Sequence, residues 1–123
     1  AAPPGTIARA KQDAMTNLWL DEFDAVLWTA ARHSFILPED KRVPEVKDSL
    51  KWEFARNLAR QGQQFSGPFL AGDSFSITDI VATQCLNWSL VAGFPVEDQT
   101  MRAYARDMRE RPAFKQAMKY LDS

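Results

Sequence analysis

Cysteine and histidine are nearly absent: the 123-residue chain has one of each, Cys85 and His33. A lone cysteine excludes an internal disulfide and any cysteine-only metal site, and a lone histidine excludes a two-histidine metal set. No metal is therefore expected. The cysteine usage fits a reducing compartment, so the expected location is cytoplasmic. Long apolar runs are missing too. Nothing approaches the roughly 18 residues needed to span a bilayer, and the first residues lack the basic-then-apolar order of a signal peptide. Charge of one sign is also lacking: 15 basic and 16 acidic residues leave a net charge of -1. That balance gives no field to recruit nucleic acid or an anionic membrane, so neither is expected as a partner. Glycine is sparse, with five in all. Gly62, Gly67 and Gly72 stand singly, which excludes a glycine-rich phosphate loop. Finally, no two alternating runs are joined by a hairpin signal, and no strand-helix-strand unit can start a parallel sheet.

What remains is helical periodicity. With 46% hydrophobic residues the chain can build one domain's core. Ala1-Ala2-Pro3-Pro4-Gly5 reads as a linker (1–5), and residues 6–123 as the domain. From Thr6 to about Ser34, Met15, Leu18, Trp19, Phe23, Val26, Leu27 and Ala30 fall at the spacing of one helix face. Leu20, Trp28 and Ala31 lie off that stripe and ask for cover from another domain or chain. Pro38 interrupts, and Pro44 then suits a first turn with Glu45 and Asp48 near the positive end of the dipole. Leu50, Phe54, Leu58 and Phe65 give this second helix its core stripe, ending near Gly62 to Gly67. Met101, Tyr104, Ala105 and Met108 mark a fourth helix that stops before Pro112. A fifth starts at Ala113, with Phe114, Ala117, Met118 and Leu121 on one side.

The third helix, Ile77 to about Ala92, has the clearest start. Ser76 is placed as N-cap, its hydroxyl accepting the Asp79 N–H while the Asp79 carboxylate accepts the Ser76 N–H. Phe75 and Ile80 stand at the two positions of a hydrophobic staple. The run from Ile80 to Ala92 puts apolar residues all round the axis, so this helix is expected to be enclosed on every side. An all-α bundle of about five helices around that central one follows.

Phe69-Leu70-Ala71-Gly72-Asp73 followed by Phe75-Ser76-Ile77-Thr78-Asp79-Ile80 resembles the F-L-x-G-D and S/T-x-x-D signature of the glutathione transferase superfamily's C-terminal domain. Arg109-Glu110-Arg111-Pro112-Ala113-Phe114 is similar to that domain's R-P-A step, and Ala8-Arg9-Ala10 to the start of its long first helix. The resemblance implies that this chain supplies the hydrophobic substrate site and contributes to a homodimer. Glutathione, as co-substrate, would be held by a thioredoxin-like N-terminal domain, and its thiolate would attack a hydrophobic electrophile. This chain alone would carry no catalytic residue and no cofactor. The family's acceptor wall implies Phe23, Trp28, Arg32 and His33 as substrate-binding residues, with Trp19 beside them. Asp24-Ala25 stands where some bacterial members carry a His-Lys pair. Similar domains also serve as non-catalytic interaction modules, the alternative reading.

Each of these residues has a plainer role as well. His33, near a helix end, can hydrogen-bond the last carbonyls. Ser76 and Asp79 are used as a cap, which leaves Asp79 no catalytic part. Cys85, with no Lys or Arg nearby, reads as an inert core thiol. Arg102, Arg106 and Arg109 recur at helical spacing, but Glu97, Asp98, Asp107 and Glu110 among them make a solvated, mixed-charge face.

Overall fold

Thr6 opens the first helix by accepting the Arg9 N–H on its hydroxyl at 3.1 Å. A computed structural model describes residues 1–121, and in it a rod runs from there to Ile36. The rod consists of α1 (Ile7–Trp19), a π-turn at Leu20–Asp24, α2 (Ala25–Ala31) and a second π-turn at Arg32–Ile36. Trp19, Phe23 and Leu27, at strict four-residue spacing, are all fully buried. On a regular α-helix such a series drifts by about 40° per step. The widened turn between Trp19 and Phe23 takes up part of that drift and keeps the three on one line. The turn is held from α3, where Asn57 Nδ2 donates to the Glu22 carbonyl at 3.2 Å. Arg60 in turn bridges Asn57 Oδ1 and Glu22 Oε1.

Past Pro38 a short 3-10 turn at Glu39–Lys41 leads to α3 (Val46–Gln64). Its stripe of Leu50, Phe54 and Leu58 is buried as the spacing predicts. Phe54 meets Phe23 edge-on at 5.4 Å and Phe94 at 5.6 Å, so a ladder of rings joins the rod to α3 and to the loop after α4 (Ile77–Val91). Then come α5 (Gln99–Arg109), capped by Asp98 on the Met101 N–H at 2.9 Å, and α6 (Pro112–Leu121). Gly62 lets α3 approach that cap: a methyl group there would stand 2.6 Å from the Asp98 Cγ. The described residues hold no strand, only a single bridge between Phe69 and Gly72. The architecture is all-α.

The capping box at the start of α4 forms. Asp79 Oδ2 accepts the Ser76 N–H at 3.0 Å, and Ser76 Oγ takes the Thr78 N–H at 3.3 Å. Asp79 is fully buried and does more than clasp the helix end. Its Oδ1 also accepts the Leu70 N–H at 3.0 Å and the Tyr104 hydroxyl at 2.7 Å, tying the preceding loop and α5 to α4.

One expectation about α4 is corrected. It is not enclosed on every side: Asp79, Ala82, Thr83, Cys85, Leu86 and Ser89 are buried, but Ile80 is 57% and Val91 90% exposed. The rod and α5 cover one face, and among the described residues nothing packs tightly on the other. The expected linker also has a definite place. The Ala2 N–H donates to the buried Gln12 side chain at 3.1 Å, and Arg9 donates to the Ala2 carbonyl.

Candidate functional site

The rod carries all four residues that the resemblance assigns to an acceptor wall, and the structure splits them. Phe23 is fully buried, stacked on Trp19 at 4.0 Å and edge-on to Phe54, so it belongs to the core and offers no surface. Trp19 is likewise enclosed, and its indole N–H has no hydrogen-bond partner among the described residues. Trp28, one of the residues off the core stripe, is 44% exposed and tilts against Trp88 of α4 with ring centres 6.4 Å apart. Arg32, one turn on, donates to Thr29 Oγ1 at 3.1 Å and is part-buried. Trp28 therefore presents an indole surface backed by Trp88, with Arg32 one helical turn away at the start of the second π-turn. Turns of this type recur at functional sites.

His33 does something the helix-end reading does not foresee. Its Nδ1 accepts the N–H of Val43 at 2.9 Å, which pins the segment after the rod back onto it. The other hydrogen-bonding edge is left for solvent or ligand.

A second apolar surface lies between α4 and α6. This groove encloses about 370 Å³, with Phe75, Ile80 and Met108 on one wall and Phe114, Met118 and Leu121 on the other. Both staple residues thus line it. Phe75 packs edge-on to Phe69 at 5.9 Å, and the Arg111 guanidinium sits 3.3 Å above the Phe75 ring centre. The sequence places Phe114, Ala117, Met118 and Leu121 on one side of the last helix, yet no residue of α6 is fully buried. The signal was available in Phe114, Ala117, Met118 and Leu121; what it lacked was a sign that no other element would fill the space.

The remaining chemistry-bearing groups are structural. Burial pushes the Cys85 thiol up to about 12, with the negative charge of Asp24 adding to it, so the thiolate needed for reactivity is suppressed. The Tyr104 hydroxyl is also raised, first by burial and then by its bond to the Asp79 carboxylate. Arg102 donates twice to the Val96 carbonyl, and Arg109 donates to Asn87 Oδ1, so two of the three spaced arginines brace loops and helices. Among the described residues no cluster of His, Cys, Asp and Glu could hold a metal ion, and no helix is long and apolar enough to cross a membrane. No family model, curated protein or solved structure matches the chain.

Proposed function

We propose that this chain is the helical C-terminal domain of a glutathione-transferase-like protein, in which the Trp28 face forms the wall of the hydrophobic acceptor site. The observation that carries the reading is Trp28, 44% exposed and set against the partly buried Trp88, with Arg32 one turn on and bonded to Thr29. The Phe69-to-Ile80 motif adds support, because its serine and aspartate do form a reciprocal cap. In this reading a thioredoxin-like domain binds glutathione and holds its sulfur as thiolate. The thiolate attacks an electrophile lying flat on the indoles; a carbon–sulfur bond forms, and a leaving group departs or an activated double bond takes up a proton. Apolar burial of the electrophile supplies affinity, and its fixed orientation lowers the barrier. Homodimerisation belongs to the same proposal, with Leu20 as an exposed apolar contact.

The four indole N–H signals in a ¹H–¹⁵N spectrum, assigned with single Trp→Phe variants, test this directly. Titration with the unreactive nitroarene 1,3-dinitrobenzene is expected to move the Trp28 and Trp88 signals and leave Trp19 in place. Glutathione alone is expected to move none. Tight binding of glutathione by this chain, or a nitroarene response that bypasses Trp28, would refute the division of labour.

The alternative, a non-catalytic interaction module, draws on the exposed Phe35, Ile36 and Val91. Absence of any nitroarene response, together with a defined oligomer by light scattering, favours that reading.

A further inference from the structure

We infer that the groove between α4 and α6 is a binding site for a small amphiphilic carboxylate, its alkyl body between the helices and its head group on Arg111. The inference stands on a different surface from the Trp28 face and does not depend on the transferase reading.

Shape and chemistry set the ligand class. A volume of about 370 Å³ falls at the lower end of small-molecule pockets, roughly 300 to 1,000 Å³, and is lined mainly by apolar side chains with few polar groups. The polar groups on its α4 wall are largely used already: Thr83 donates to the Asp79 carbonyl at 2.6 Å, and Asn87 accepts from Arg109 at 3.0 Å. Arg111 differs. It lies at the groove, stacked on Phe75, and among the described residues it enters no ion pair. Held over the Phe75 ring and making no side-chain hydrogen bond among the described residues, the guanidinium has N–H donors to offer a carboxylate, which it can take by two parallel hydrogen bonds. A cation at the edge of an apolar slot matches a ligand with one negative end and a hydrocarbon remainder.

The state of α6 points the same way. Phe114, Ala117, Met118 and Leu121 form an apolar face, but the helix buries no residue, because that face looks across the groove and does not interlock with α4. An alkyl chain in the slot would supply the missing contacts and hold α6 in place.

Calorimetric titration of the full chain with sodium octanoate, far below its micellar range, provides the test. One saturable site is expected, with Arg111→Gln weakening it about tenfold, as loss of a charge-assisted bidentate contact should. Ala117→Trp, at an exposed groove position, is expected to weaken it at least as much by filling the slot, and Trp28→Ala to leave it unchanged. 1-Octanol, of the same length without the charge, should bind no better to the native chain than octanoate does to Arg111→Gln. Amide exchange in α6 is expected to slow on binding. The inference fails if octanoate gives no saturable heat, if Arg111→Gln binds it as tightly as the native chain, or if octanol matches octanoate. It also fails if the protected amides lie outside α4 and α6. Failure of the nitroarene titration would leave these outcomes untouched, so the two readings are separable.

Discussion

Helices α4 and α6 look alike on paper, each an apolar segment following a loop, yet they are held in opposite ways. At the start of α4, one buried carboxylate accepts from Ser76, Leu70 and Tyr104, so the helix end, the loop before it and α5 are fastened by directional bonds. Helix α6 begins at Pro112 after an arginine, has no acidic residue in its first turn, and has no fully buried residue. Directional bonds at a helix start fix position, whereas an apolar stripe fixes only which way a helix faces. The bonded helix forms the scaffold, and the loosely packed one borders the groove.

Alkaline titration should separate the two regions most strongly. The folded chain keeps the Cys85 proton to about pH 12, whereas an ordinary thiol loses it near 9.0. The folded state therefore holds more protons across that window, and stability falls as pH rises through it; below about pH 9 nothing is lost on this account. Crossing the whole window costs about 4 kcal/mol, with Tyr104 acting in the same direction. Urea midpoints should drop steadily between pH 9 and 11, less so for Cys85→Ala. A flat profile would mean that the α4 core is wetter than its geometry implies.

Asp79→Asn comes next. The amide can still accept from Tyr104, but its NH₂ then faces the Ser76 N–H, donor against donor, in a fully buried place. Loss of the cap and one unsatisfied buried donor together cost about 2 to 4 kcal/mol, read from the urea midpoint. A smaller loss would show that α4 is held by its apolar contacts alone, as α6 is. Gly62→Ala should cost about 1 to 3 kcal/mol, because the added methyl displaces the Asp98 cap of α5. Calorimetric melting checks it, and the double variant Gly62→Ala/Asp98→Ala should lose less than the sum of its parts.

How much of this was legible follows from the same contrast. The Ser76–Asp79 clasp, the stripe Leu50-Phe54-Leu58 and the set Met101, Tyr104, Ala105 and Met108 were readable, since local spacing alone determines them. The second and third bonds of Asp79 were not: Leu70 and Tyr104 reach it only once the loop and α5 have folded over. Nor were the π-turns, whose sequence Leu20–Asp24 reads as ordinary helix and whose Glu22 carbonyl is served by Asn57, 35 residues away. Phe23 shows the limit for the site. A helical stripe tells which residues share a side, but its placement in core or cleft depends on whether another helix, here α3 with Phe54, arrives to cover it. The exposed face of α4 is the converse case, an apolar surface that no helix covers tightly.

Phe114→Ala should have the smallest effect, and for that reason sharpens the comparison. Truncating a buried phenylalanine costs about 3 to 5 kcal/mol, but Phe114 is only half-buried on a helix without buried residues. Its loss should lower global stability by about 1 kcal/mol, well short of a core phenylalanine, because part of the ring already meets solvent along the groove. Local behaviour should change more than global: amide exchange along Pro112–Leu121 should quicken while that of Ile77–Val91 stays fixed. Equal acceleration in both helices would mean that α6 closes the core, and that the groove beside α4 is a seam of the fold and no separate site.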